Sequence, residues 1–237
     1  MTPLLAFDTS TELLSIAVEA DGRILARDEP GGPRASALIV PAIVDLLREA
    51  RIELGDLAAI AFGQGPGAFT GLRTACAVAQ GLALGAGKPV VPIDSLLAVA
   101  EDAREGATRL RVAVAMDARI EEIYAGEYVY GDGVWAVARA PLLTNAAALS
   151  ARWRAEPPEV VAGSALAAFG AALDTGAARR VPGAQPRAAG MLALARRRLE
   201  SGGALDAALA LPVYLRDKVA QTVDERAAAR AAKASRP

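Results

Sequence analysis

Short apolar runs separated by turn residues open the chain. Leu4 to Phe7 reads as a strand that stops at Asp8-Thr9-Ser10-Thr11, Leu13 to Glu19 as a second strand, and Arg23 to Arg27 as a third beyond the turn Asp21-Gly22, an antiparallel meander. After Ser36 the period changes: Leu38, Val40, Ile43, Val44, Leu46 and Leu47 follow helical spacing. A strand from Ala58 to Phe62, a helix from Gly71 to Ala86 and a strand from Val90 to Ile93 continue in βα alternation, and Asp94-Ser95 is placed to cap a helix reaching about Arg104.

The same order then returns. Arg111 to Met116 stops at Asp117, Glu122 to Tyr130 follows, Asp132-Gly133 turns the chain, and Val134 to Ala138 comes back, so Asp8 and Asp117 hold equivalent places. A helix from about Asn145 to Trp153, a short strand Val160-Val161-Ala162 and helices near Leu166 to Leu173 and Ala189 to Glu200 complete the second copy. The expected fold is α/β: two tandem ribonuclease-H-like lobes with mixed sheets and flanking helices, the actin/hexokinase/Hsp70 (actin-like ATPase) architecture. The expected divisions are 1–105 and 106–223, broken near Glu105-Gly106, with the segment after Leu211 a candidate to return to the first lobe. Residues 224–237 form a basic, alanine-rich tail, read either as a helix continued into solvent or as a disordered end.

The junction Gly63 to Arg73, G-Q-G-P-G-A-F-T-G-L-R, joins a buried strand to a helix of small residues. Gly63, Gly65 and Gly67 are expected to take positive φ, Pro66 to fix the turn, Thr70 to cap the helix, and Gly71 to begin it. A P-loop reading fails, because no lysine precedes Lys88. A dinucleotide fingerprint fails too, since Thr70 stands where its third glycine belongs and no acidic residue ends a strand before Asp94. On residue chemistry alone this is a tight connection with no ligand.

Four strings nevertheless occur in one order along the chain: F-D-T-S-T near the start, G-P-G-A-F-T-G-L-R, M-D-A-R-I-E-E-I-Y, and P-V-Y-L-R near the end. Together they resemble the TsaB (YeaZ-type) family of bacterial tRNA threonylcarbamoyladenosine biosynthesis proteins. The resemblance implies a non-catalytic, cytoplasmic subunit that binds and stabilises a catalytic paralogue, TsaD, with the ATPase TsaE completing the assembly and tRNA engaged only indirectly. It also implies a helical interface on the first lobe, able to take a second copy of the chain when TsaD is absent. Small residues at Ala77, Gly81 and Gly85, flanked by Arg73, Thr74 and Val78, suit that interface.

The remaining chemistry narrows the classes. Twenty-six Lys+Arg against 27 Asp+Glu leave a net charge of −1, which offers a polyanion no overall attraction. There is no histidine, so Ser-His-Asp, Cys-His and His-based metal sites cannot be built from this chain, and neither a metal nor a cofactor is expected. The single cysteine, Cys76, lies in an apolar helix and reads as a buried filler suited to a reducing compartment. Asp8 interrupts the first apolar run, giving a strand start rather than a signal peptide, and no apolar run is long enough for a membrane helix. Asp8, Thr9, Ser10 and Thr11, with Asp117, mark the turns that hold phosphates in nucleotide-splitting relatives, but the first turn has no glycine and Ala118 stands where one is favoured in the second. They read as vestigial. Glu121 and Glu122 are expected on opposite faces of a strand, unable to act as an acid/base pair. An autonomous ATPase or kinase and a peptidase-type factor are the alternatives.

Overall fold

The computed structural model describes residues 2–216. Its first copy runs β1 (Leu4–Asp8), β2 (Leu13–Ala20), β3 (Arg23–Pro30), α1 (Ala35–Ala50), β4 (Ala59–Gly65), α2 (Phe69–Ala86), β5 (Val90–Asp94) and α3 (Ser95–Arg104). The second runs β6 (Leu110–Asp117), β7 (Ile123–Gly131), β8 (Val134–Thr144), α4 (Ala146–Ala155), β9 (Val160–Ala162), α5 (Ala165–Phe169), β10 (Arg179–Val181) and α6 (Ala188–Glu200). The sheets have the orders β3-β2-β1-β4-β5 and β8-β7-β6-β9-β10, which are the same order twice. In each, an antiparallel meander is extended by two parallel strands. These are two ribonuclease-H-like units.

Alternation along β1 shows how the layers arise. Leu5 and Phe7 face a core closed by Ile39, Ile43 and Leu46 of α1 and Ala75, Ala79 and Ala83 of α2. Leu4 and Ala6 face the opposite way, onto Met191, Leu192 and Ala195 of α6. In the second sheet Val112, Val114 and Met116 face Leu96, Val99 and Ala103 of α3, while Ala113 and Ala115 face Leu149 and Trp153 of α4 and Leu166 of α5. The helix that follows each sheet therefore covers the other sheet. This exchange places α3 and α6 between the two sheets and gives the copies a common core.

Polar contacts fix the exchanged helices in place. Asp94 caps α3 by accepting from Leu96 N at 2.8 Å, and its other oxygen accepts from Tyr128 Oη of β7 at 2.6 Å. Trp135 Nε1 donates to Glu101 at 2.7 Å, and Gln185 N donates to Asp102 at 2.9 Å. On the other side the first residue of α6 is held by Ser15 Oγ, which accepts from Ala188 N at 2.8 Å and donates to Asp28 at 2.5 Å. Arg187 ties Asp28 to Asp102 across the layers.

Several boundaries differ from expectation. Strand β8 runs on to Thr144, because its residues beyond Ala138 continue to pair with β7. Strand β10 is too short and too charged to announce itself, and Leu166 to Leu173 is a short helix followed by a 3-10 turn. The tail at 224–237 lies outside the described residues.

Tyr128 is fully buried and its hydroxyl links the two copies through Asp94. Tyr128→Phe leaves a half-buried carboxylate oxygen short of its donor, and is expected to lower unfolding free energy by about 1 kcal/mol. Urea titration checks this; an unchanged midpoint would remove the bond from the account of the common core.

Candidate functional site

Strand β4 does not end at the first glycine of the junction. It continues through Gly63-Gln64-Gly65, with a register irregularity between Gly63 and Gly65 where it meets β5. The Gly65–Pro66 peptide is cis, and helix α2 starts at Phe69 with Ala68 at its N-cap. Thr70 is therefore inside the helix, not its cap. Its carbonyl accepts from Thr74 Oγ1 at 3.0 Å, and no side chain caps the first turn.

Of the three loop glycines only Gly65 takes positive φ, at +110°. Gly63 and Gly67 are required for a different reason, which Gly71 shares. A Cβ on Gly63 would overlap the Asp8 carboxylate, one on Gly71 would overlap the carbonyl oxygen of Thr9, and one on Gly67 would stand 2.5 Å from Ser10. The absent side chains let β4 and the start of α2 lie directly on the Asp8–Ser10 turn. Ala68 N donates to Ser10 O at 2.7 Å, and Thr9 Oγ1 donates to Gly71 O at 2.7 Å.

The turn's own polar groups are consumed in the same packing. Asp8 accepts from Ser10 N at 2.6 Å and from Ser95 Oγ at 2.8 Å, with no exposed surface left. Burial pushes its carboxyl above the ordinary aspartate range against the lowering effect of those two bonds. Thr11 Oγ1 accepts from Leu13 N at 3.1 Å. Ser10 Oγ is buried without a protein partner.

The equivalent turn of the second copy repeats one device and departs in another. Asp117 accepts from Arg119 N at 2.9 Å, as Asp8 does from Ser10 N. Arg119, Ile120 and Glu121 then take φ of +64°, +54° and +60° in succession, whereas no residue of the first turn is left-handed. Glu121 and Glu122 therefore precede β7 in this turn, and are not on opposite faces of a strand. Between the two turns lies a cleft of about 1050 Å³, lined among others by Ser10, Leu96, Met116, Arg119, Tyr124 and Gln185. Among the described residues no group of three or more acidic or cysteine side chains is placed to hold a metal.

On α2 the inward face is Leu72, Ala75, Cys76, Ala79 and Ala83. Cys76 is buried, and its thiol donates to Ala210 O at 3.0 Å. Ala77, Gly81 and Gly85 face outward with Leu84, which is 79% exposed, and Cβ atoms on either glycine would meet nothing within 4 Å. Val78 turns partly into the core, and Arg73 stacks 3.9 Å above Phe69 while its Nε donates to Tyr214 at 3.2 Å. Adjacent helix α1 exposes Ala37, Val40, Pro41 and Val44 at helical spacing, so each of the two helices, which pack on one another, carries outward apolar residues. Those of α1, and the roles of Ser95, Tyr214 and Arg216, were not read from the sequence. Val40 and Val44 carried the same helical pattern as the core residues beside them.

Two substitutions of the same kind should diverge. Gly71→Ala drives a methyl into the Thr9 backbone and should cost about 1–3 kcal/mol, while Gly81→Ala enters open space in a helix and should gain about 0.5–1 kcal/mol. Chemical denaturation of both variants measures the difference; equal effects would reject the close approach. A further test concerns Asp8. Its folded pKa lies above the unfolded value of about 4, so the fold favours the neutral carboxyl, and its contribution is present below that pH and lost as pH rises. Asp8→Asn should consequently melt no lower than the parent at pH 7, with the difference moving in its favour as pH rises from about 4. Melting curves across pH showing the opposite trend would contradict the assigned shift.

Comparison with known proteins places this geometry in a family. A sequence model of the family described as "TsaD: tRNA N6-adenosine threonylcarbamoyltransferase" matches residues 33–178. The "tRNA threonylcarbamoyladenosine biosynthesis protein TsaB" of Escherichia coli is 41% identical over 135 residues, 56% of this chain and 58% of that protein. The protein of the same description from Haemophilus influenzae is 41% identical over 126 residues, 53% of each. The chain thus matches little more than half the length of these curated relatives. The solved structure "YeaZ from Pseudomonas aeruginosa" is 35% identical, covers 91% of this chain and 100% of its own, and superposes with a TM-score of 0.83. With a family model over more than half of its residues and a like-folded structure over nearly all of them, this chain belongs to the TsaB/YeaZ-type proteins of the TsaD family.

Proposed function

We propose that the chain is a non-catalytic subunit in the formation of N6-threonylcarbamoyladenosine in tRNA, and that its α1/α2 face docks the catalytic subunit, TsaD. In this role it would stabilise a partner that transfers threonylcarbamoyl from threonylcarbamoyl-AMP to the adenosine beside the anticodon, with TsaE as the further ATPase of the assembly. The observation that carries the reading is the outward face of Ala37, Val40, Pro41 and Val44 on α1 with Ala77, Gly81, Leu84 and Gly85 on α2. An apolar surface flattened by two glycines admits the close approach of another helix pair, and no element of this chain covers it among the described residues. A second copy of the chain is the other occupant that such a face would accept.

Two further observations support a role without chemistry. The chain has no histidine, and Asp8, the carboxylate at the first phosphate turn, has both oxygens engaged inside the protein. A net charge of −1 fits indirect rather than direct engagement of tRNA. The cleft between the turns keeps an autonomous ATPase in view as the second reading, and ATP turnover by the purified chain, lost in Asp8→Ala, would establish it in place of the first.

Gly81→Arg tests the docking face. In the free chain the arginine enters open space and folding should be preserved, while in a complex it buries an unpaired charge. A penalty of about 4 kcal/mol is roughly a thousandfold in affinity. Size-exclusion chromatography with TsaD, circular dichroism and a reconstituted tRNA modification assay should show a folded variant that neither binds nor supports modification. A folded variant that does both would overturn the assignment.

A further inference from the structure

We infer that the segment Ala210–Arg216 is a latch across the mouth of the cleft, with Arg216 as the residue that closes it. The segment has no regular structure of its own, yet it is fixed to the first copy at three places. Ala210 O accepts from Cys76 Sγ and from Gln80 Nε2, each at 3.0 Å, and Val213 N donates to Gln64 O at 2.7 Å. Tyr214 packs on Phe69 with ring centroids 5.1 Å apart and accepts from Arg73 Nε. Val213, Tyr214, Leu215 and Arg216 line the cleft as they pass.

Arg216 then reaches the second copy. Its guanidinium donates to Ala118 O at 2.9 Å, to Arg119 O at 3.3 Å and to the carboxylate of Glu122, and its side chain is 18% exposed. These acceptors bracket the left-handed run Arg119-Ile120-Glu121, in which Ile120 is β-branched and 75% exposed. An L-residue with a branched Cβ disfavours that conformation, so the run needs an outside restraint to persist. The turn's own bonds, Ala118 N to Glu122 O at 2.9 Å and Glu122 N to Arg119 O at 3.1 Å, close the loop but do not attach it to the first copy. The other links at the mouth are weaker: Arg119 pairs with Glu12 where both side chains are about 70% exposed, and Tyr124 Oη lies 3.5 Å from Gly67 O. Arg216 is the partly buried, multiply bonded connection. With it in place the turn is held against the strap; without it the turn relaxes and the strap keeps only the packing of Leu215 against the core of the second sheet.

Hydrogen–deuterium exchange on the full chain tests the latch. In Arg216→Ala, amides of residues 117–123 should exchange at least tenfold faster, while those of β1 and β4 keep their parental rates. Arg119→Ala, which removes the exposed pair with Glu12 and the 3.6 Å contact with Asp117 but leaves Arg216 in place, should change the same amides by less than threefold. Adding Ile120→Asn to Arg216→Ala supplies a residue that tolerates the left-handed region and should recover part of the lost protection. Parental exchange at 117–123 in Arg216→Ala would overturn the inference. So would a uniform rise over both sheets, or no recovery with Ile120→Asn, since either would assign Arg216 to general packing.

Discussion

Where Gly63, Gly67 and Gly71 give up their side chains, β4 and the first turn of α2 press against the backbone and carboxylate of Asp8–Ser10. Much else follows from that approach. It brings Ser95 within reach of Asp8 and orients α2 so that Ala75, Ala79 and Ala83 seal the sheet while Gly81 and Gly85 look outward. It also occupies the turn at which an anion would have to meet free backbone N–H groups, since Ser10 N is already bonded to Asp8. One packing constraint thus shapes the inner core, the outer face and the chemistry that the turn can offer.

The exchange of α3 and α6 gives the second constraint. Each sheet needs apolar cover on both faces, and the helix that provides half of it belongs to the other copy, so neither copy completes its core alone. Polar contacts such as that of Tyr128 with Asp94, and the partly exposed Ser15–Asp28–Arg187–Asp102 series, tie the copies together along this shared layer. The cleft opens on the side where the two equivalent aspartate turns approach one another.

Much of this was legible in the sequence because it is periodic. Two meanders with the same turn residues, followed by the same alternation of helix and strand, require the same sheet twice, and the order β3-β2-β1-β4-β5 answers β8-β7-β6-β9-β10. What was not legible depends on contacts distant in the chain. Glycines at 63 and 67 looked like sites of positive φ, but they are bare because residues 8–10 lie against them. Thr70 looked like a cap from its type alone, yet the helix begins two residues earlier than expected, at Phe69, and Ala68 takes the N-cap position. Glu121 and Glu122 looked like strand residues because Ile123 and Tyr124 beside them are; three left-handed residues in a row, none of them glycine, leave no local signal in composition. Arg216 belonged to a recognisable string, but nothing nearby in sequence shows that its partners lie near residue 120.

The same features explain how one duplicated fold can be suited to scaffolding. An enzyme of two such lobes would need groups at the turns free to meet substrate, and a cleft able to open around it. Here the first turn is filled by its own glycine loop, with both Asp8 oxygens engaged inside the protein and its carboxyl pushed up by burial rather than poised by a charged partner. The second turn is restrained in a conformation its residues disfavour. Both conditions favour a single arrangement of the two copies over a pair of alternating ones, because leaving it would break buried polar contacts. In the proposed docking role that rigidity would be an advantage: the outward residues of α2 are held in register by the same contacts that close the Asp8 turn, so a partner docking there would meet a surface already organised and lose little conformational entropy in binding it.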